Sequence, residues 1–403
     1  MNPGGRDIIL SYEKTHFSCR IIHKTMNTIG RTLDGTPVKF RFYVTILIFI
    51  TIISCSVIGL VLPWQNNDMR FLAIEDLNIT SYMVLLLSEV GRAPEKLQTI
   101  LGIVKYGVKY PITMKLSEKQ KLIIEQANKN DMLMCFCFIA TVTSYAITTG
   151  LIPAISGFIK ISTGDLEDDI LEKEIPMPVA GSWLPFSIKN LATYSLVAGF
   201  QQFAISFHLF IYMGWFAMTM SAMMNISSAL KLLACFVDEM DDRLGGIVEG
   251  RPLDVYIKFM VDYHNAIYKT IKDYDSATAV MMLLMYSVCV VEQCVSFFCI
   301  YEVNDRGMRI TFLGVLIVNI LILGSFTFFG QLIIDEGEKL RLSLNHSNWI
   351  NKSDSYKRSL LIIMANTQKD VALKPAGLYV LDRHTIMLIA NASYSYLSLM
   401  RNF

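Results

Sequence analysis

The chain has 403 residues, of which 53% are apolar and 18% charged, against roughly 45–50% and 25% in an ordinary soluble domain. That composition excludes a protein soluble throughout, and 36 Lys and Arg against 35 Asp and Glu, a net charge of +1, exclude a strongly basic nucleic-acid binder. Residues 1–41 hold no apolar run long enough for a signal-peptide core, so no cleaved secretory signal is expected.

Runs of about 20 mainly apolar residues, enough to cross roughly 30 Å of hydrocarbon, recur along the chain and predict an all-α membrane protein with seven transmembrane helices. Residues 1–41 read as a cytoplasmic N-terminal segment, and residues 42–62 as the first span, closed by Pro63 and Trp64. The second lies near 75–104. Glu89, Arg92 and Lys96 lie along it, so its first half is expected to cross and its second half to continue as helix beyond the membrane. The third is 131–155, followed by an outer loop at 156–189, and the fourth runs from 190 to about 225, so that 42–230 carries spans one to four. Residues 231–276 read as a cytoplasmic helical segment, where Leu253, Ile257, Met260, Ile267, Ile271 and Tyr274 recur at helical spacing as a packing seam. Spans five and six, 277–301 and 310–334, fill 277–334, and 335–375 reads as a cytoplasmic anchor helix. The last segment, 376–403, contains the seventh span at 376–399. Asp382, Arg383 and His384 near its start would not be tolerated by lipid and are expected to face protein or water.

Basic residues are retained on the cytoplasmic side of a membrane. The N-terminal segment and alternate loops hold 26 of them, the opposite set only 7, which predicts a cytoplasmic N-terminus and an extracellular C-terminus. That is the reverse of a G-protein-coupled receptor. No NPxxY closes the seventh span, and no Cys lies in 156–189 to tie that loop to span three. Long continuations of spans four and six, together with the seam in 231–276, predict a packed helical bundle on the cytoplasmic side, with no Gly-rich phosphate loop and no room for an enzyme domain.

The eight Cys lie mostly inside apolar runs, the pattern of packed thiols rather than a disulfide framework, and neither they nor the six His fall at metal-ligand spacing. No cofactor is expected. Polar groups inside spans are costly and hence functional candidates. Glu292 with Gln293 either pairs with a neighbouring helix or faces an aqueous cavity, and His208 reads as an interhelical hydrogen bond rather than a titrating sensor. The acidic run Asp165, Glu167, Asp168, Asp169, Glu172 and Glu174 reads as a solvated loop, with cation concentration above a pore as its alternative. Of the Asn-x-Ser/Thr sequons at Asn78, Asn225, Asn345, Asn351 and Asn391, the topology exposes only Asn78 to the lumen, close to the membrane.

The stretch FGQLIIDEGEKLRLSLNHSNW and the segment from Ser355 to Met400 resemble the C-terminal region of insect odorant receptors. The matching features are Trp349, the Arg358-Ser359-Leu360-Leu361 segment, Leu373-Lys374-Pro375-Ala376-Gly377 before the last span, and Ser393-Tyr394-Ser395-Tyr396 within it. Tyr263-His264-Asn265-Ala266-Ile267 before span five is a second match, and Ile175-Pro176 with Trp183-Leu184-Pro185-Phe186 before span four a weaker third. The final Ser395–Phe403 stretch is also close to the ending of gustatory receptors, with Ser395, Asn402 and Arg401 departing from it.

The resemblance implies a ligand-tuned odorant receptor subunit. It would bind a small, volatile, mostly apolar ligand in the outer half of its helix bundle and gate a non-selective cation channel, as a heterotetramer with the odorant co-receptor, among membrane lipids in the plasma membrane of sensory neuron dendrites. A ligand pocket is apolar and aromatic with a few polar atoms. Candidates on the outward halves of spans two to five are Ile79, Tyr82, Met83 and Leu86; Tyr145, Thr148, Thr149 and Ile152; Gln202, Phe203 and Ser206; and Phe297, Phe298 and Tyr301. Each also fits ordinary helix packing. Mapped onto the tail, the family's pore places Leu399 at a narrow apolar ring, unless it faces lipid, Asn402 at the polar ring beyond, and Ser395 near the axis. The rivals are a gustatory receptor of the same fold, a G-protein-coupled receptor, which the opposite topology disfavours, and a transporter, for which inverted repeats are lacking.

Overall fold

A computed structural model of the chain describes residues 17–28, 39–61, 67–108, 115–163, 190–245, 250–303, 306–368 and 371–400. The helices, in chain order, are α1 Phe17–Thr28, α2 Lys39–Val61, α3 Asn67–Arg92, α4 Pro94–Tyr106, α5 Glu118–Ala146, α6 Ile152–Thr163 and α7 Leu191–Asp238. They continue with α8 Met240–Leu244, α9 Arg251–Glu302, α10 Arg306–His346, α11 Asp354–Thr367 and α12 Arg383–Met400. A π turn at Ile147–Leu151 joins α5 to α6, so this rod runs through Thr163 and takes in the start of the stretch expected as outer loop. Four helices among the described residues are long and apolar enough to cross a membrane: Glu118–Thr163, Leu191–Asp238, Arg251–Glu302 and Arg309–His346. Phe42–Ile58 is a shorter apolar helix.

At 1.5 Å per residue, the 48 residues of α7 and 52 of α9 extend about 70–80 Å, more than twice the hydrocarbon thickness. Both must project, and their burial pattern shows where they pack. From Gly214 to Val237 α7 is buried on nearly every side, as expected of a helix apolar all round and enclosed by neighbours. It is flanked by α1, α4, α5, α9 and α10. The seam expected along 231–276 is realised in full: Leu253, Ile257, Met260, Ile267, Ile271 and Tyr274 are each 8% exposed or less. Met218, Met220 and Met223 of α7 and Met281 and Met282 of α9 are buried in one apolar core, where unbranched side chains adapt to irregular gaps.

Two close approaches need glycine. At Gly214 a Cβ would lie 2.3 Å from the Thr25 side chain, seating α1 on α7, and at Gly330 it would lie 2.2 Å from the Leu381 carbonyl oxygen.

The charges in the second expected span pair among themselves. The helix breaks at Ala93, with Pro94 opening α4. At this joint the buried Glu89 carboxylate accepts from Lys96 Nζ at 2.6 Å and Arg92 Nη2 at 2.9 Å. Farther along, Glu239 at the end of α7 accepts from Ser117 Oγ and Gln120 Nε2 at 3.0 Å and forms an ion pair with Arg243 at 3.2 Å, fastening the capping box of α5 to the α7–α8 corner. Cys55, Cys135, Cys137, Cys235, Cys289, Cys294 and Cys299 are free thiols, all but the exposed Cys137 at least partly buried.

His264, on the part of α9 expected outside the membrane, is 2% exposed, its ring centroid 4.2 Å from that of Tyr268 and its Nε2 buried without a partner. Burial pushes the imidazole down from 6.5 to about 4. The unfolded chain therefore takes up a proton that the folded chain refuses, and stability is full above about 6.5 and lost as pH falls toward 4. Replacing His264 with Asn is expected to flatten this acid limb, which amounts to about 3 kcal/mol at most. Thermal unfolding of purified protein between pH 4 and 7 checks it.

Candidate functional site

Above the seam, where α3, α5, α7, α9 and α10 splay, the bundle encloses about 630 Å³ of space not filled by atoms, part of it open to the surface. Ile79 and Tyr82 come from α3, Val142 and Tyr145 from α5, and His208, Leu209 and Tyr212 from α7. Met285, Val288, Cys289 and Glu292 come from α9, and Val315, Val318, Asn319 and Ile322 from α10. On each helix these positions fall within the i, i+3, i+4, i+7 pattern of a single face. The wall is mostly aliphatic and aromatic with a few polar groups, the make-up of a pocket for a small organic molecule. Tyr82 meets Tyr212 edge to face with centroids 6.4 Å apart, and His208 packs edge-on against Phe49 at 5.6 Å. His208 makes no interhelical hydrogen bond among the described residues; it borders the cavity instead.

Glu292 is the most buried charged group on this wall, 2% exposed. Its Oε1 accepts from Asn78 Nδ2 at 2.8 Å, and the same amide reaches the Val288 carbonyl at 3.3 Å. Asn78 is thus engaged between helices rather than presented as a sequon, and Asn225 is likewise buried, donating to the Ile103 carbonyl at 3.0 Å. The next residue of α9 faces elsewhere: Gln293 Oε1 accepts from Ser393 Oγ of α12 at 3.1 Å, both side chains being buried. Two turns earlier, Tyr286 lies against Tyr379 with centroids 4.8 Å apart. Helix α9 therefore forms both a wall of the cavity and the seat of α12.

The start of α12 is held by α10. Asp382 caps it, accepting from Thr385 N at 2.9 Å, while Arg383 pairs with Asp335 at 3.3 Å and its backbone N–H donates to Gln331 Oε1 at 3.3 Å. Of the charges that lipid would not tolerate, Asp382 and Arg383 are paired with protein here, while His384 is exposed. Residues 376–382, expected as the beginning of the seventh span, form instead a 3₁₀ turn at Pro375–Gly377 and an extended approach to a helix that begins at Arg383.

A family model described as 7tm Odorant receptor matches residues 110–394, about seven tenths of the chain. The chain belongs to this family. Odorant receptor 33b of Drosophila melanogaster is 29% identical over 96 residues, covering 24% of this chain and 25% of that one. Odorant receptor 23a of the same organism is 22% identical over 231 residues, 57% of this chain and 59% of that one. The chain thus spans about a quarter to three fifths of the length of these curated relatives. Over its whole length the fold is that of olfactory receptor OR5 from Machilis hrabei, with a TM-score of 0.76 at 14% identity, covering 98% of this chain and 97% of that one. The same receptor solved in complex with eugenol matches equally, at TM-score 0.76, 14% identity, 99% of this chain and 98% of that one. The family match decides among the rival readings in favour of an odorant receptor.

Of the candidate ligand residues in this odorant receptor, Ile79, Tyr82 and Tyr145 line the cavity. Met83 and Leu86 are buried in the core beside it. Thr148 and Thr149 spend their hydroxyls on the carbonyls of Ser144 and Tyr145. Gln202 packs against Gly150 in the π turn and donates to Ser206 Oγ at 3.3 Å, a turn and a half beyond His208. Ile152, Phe203 and Tyr301 are 54%, 55% and 60% exposed on the outside of the bundle, and Phe297 and Phe298 are half-buried away from the cavity. Helix α10 contributes four wall residues that the sequence reading missed; Asn319, an amide inside an apolar run, was the available signal.

On α12, Ser395 is exposed, its hydroxyl donating to the Asn391 carbonyl at 2.8 Å. Leu399 lies on the helix with only its backbone described, and Asn402, Arg401 and the acidic run at 165–174 lie outside the described residues.

Proposed function

We propose that this odorant receptor is a ligand-tuned subunit of an odour-gated, non-selective cation channel assembled with the odorant co-receptor as a heterotetramer in the plasma membrane of sensory neurons. Its N-terminus is cytoplasmic and its C-terminus extracellular. A small, volatile, largely apolar molecule occupies the cavity walled by α3, α5, α7, α9 and α10. The observation that carries this reading is that α9 holds cavity residues and the Ser393 contact at adjacent positions. A ligand that fits one arrangement of α9 better than another biases α12 by its differential affinity. The α12 helices meet around the pore, with Leu399 as the apolar constriction and Ser395 and Asn402 as polar positions along it. The eugenol complex of the Machilis hrabei receptor supports a small-molecule site in this fold.

Whole-cell recording in cells expressing this chain with and without the co-receptor tests the proposal. Rapid cation current evoked by volatiles only in co-expressing cells, and insensitive to G-protein block, is expected. Tyr82→Ala and Tyr145→Ala should each raise the half-maximal ligand concentration about tenfold, the equivalent of about 1.4 kcal/mol. Phe203→Ala and Tyr301→Ala, on the exposed face, should leave it within about twofold. Current from this chain alone, or equal shifts for all four variants, would refute the assignment.

A further inference from the structure

The polar end of the cavity is unbalanced. Glu292 lines it, 2% exposed, with Oε1 taken by Asn78 and Oε2 buried without any hydrogen-bond partner. An unmet buried carboxyl oxygen is costly and rare in native interiors, and marks a place where a partner is missing. No Lys or Arg lines the cavity, and no salt bridge to Glu292 exists among the described residues. Also in electrostatic reach are the Cys289 thiol and a second acid, Asp76, the latter one turn before Ile79 on α3. Tyr82, Tyr145 and Tyr212 complete the surroundings.

We propose that the cavity is specific for a small apolar molecule carrying a protonatable amine, its nitrogen donating to Glu292 Oε2 among the three tyrosine rings. This rests on the reading of the cavity as the ligand site. An ammonium brings N–H donors and a positive charge to an acid that no Lys or Arg faces, and aromatic faces attract cations. A ketone or ester can only accept a hydrogen bond from the protonated carboxyl and cannot take up its proton, so it forms no charged pair, and a hydrocarbon leaves Oε2 unmet. Whether the amine arrives neutral and takes the carboxyl proton or arrives charged and meets the carboxylate, the bound pair is the same.

The test uses the purified full-length chain in lipid nanodiscs and three probes of one skeleton: phenethylamine, phenethyl alcohol and ethylbenzene. Affinities are read by ligand-induced thermal stabilisation, which does not depend on channel opening. Phenethylamine is expected to bind at least about tenfold more tightly than phenethyl alcohol, with ethylbenzene weakest. Glu292→Gln keeps the side-chain volume and an acceptor for Asn78; it should weaken phenethylamine at least about tenfold and the other two less than about threefold. Should that variant fail to fold, the ranking in the native chain decides by itself. Equal affinity for the three probes, or an equal loss for all of them in Glu292→Gln, overturns the amine assignment. Filling the cavity with Ile322→Trp separates the two readings. Probes that bind without amine preference but are lost in Ile322→Trp leave the cavity as the ligand site, whereas binding untouched by Ile322→Trp, or no binding at all, overturns both.

Discussion

Gly330→Ala is expected to destabilise the receptor by about 3 kcal/mol, although alanine is the better helix former by up to about 1 kcal/mol. The reason is what the added methyl meets. It would lie 2.2 Å from the Leu381 carbonyl oxygen and 2.6 Å from the Leu381 Cβ. A backbone oxygen cannot rotate away, and Leu381 is fixed by its own N–H, which donates to the Leu373 carbonyl at 3.0 Å. Relief would require α10 to separate from the turn that feeds Asp382 into the cap of α12. At Gly314, sixteen residues earlier on the same helix, an added methyl would meet nothing within 4 Å, so Gly314→Ala should be neutral or stabilising by up to about 1 kcal/mol. Opposite shifts in the thermal midpoint of the two purified variants are the expected result. Shifts of the same sign and size would show that the approach of α10 to Leu381 is not tight.

Helix order and the packing seam were legible in the sequence because both are periodic. Spacings of three, four and seven from Leu253 to Tyr274 identified residues that are all buried, since a helix partly bathed in water must confine its apolar residues to one face. Within a bilayer that contrast vanishes. Lipid accepts the same side chains as protein does, so nothing in the pattern distinguished Tyr82, which lines the cavity, from Phe203, which is 55% exposed. Only polar atoms retain a directional signal there. Glu292 and His208 stand out in the sequence for that reason and both border the cavity, while Asn319 carries the same signal and was missed. The alternating serines of α12 show the limit: Ser393 is buried against Gln293 and Ser395 exposed, a rotation that the repeat Ser-Tyr-Ser-Tyr does not specify.

That rotation leads to the largest functional effect expected. Replacing Gln293 with Leu removes the acceptor of the buried Ser393 hydroxyl and leaves it only the weak contact with the Cys294 thiol, a loss of about 1–3 kcal/mol localised between α9 and α12. Gln293 is absent from the cavity wall while Glu292 belongs to it, so ligand affinity of the purified chain should change by less than about twofold. The maximal ligand-evoked current, by contrast, should fall at least about fivefold, the lower range of ordinary coupling free energies. Ser393→Ala should do the same from the other side. If the two groups act through one hydrogen bond, the double variant Gln293→Leu with Ser393→Ala should lose no more than either single variant, because the second substitution removes the hydroxyl that the first left without its acceptor. Losses that instead multiply would mean that each side chain supports α12 separately, and parallel losses of binding and current would mean that α9 does not transmit between the cavity and the last helix.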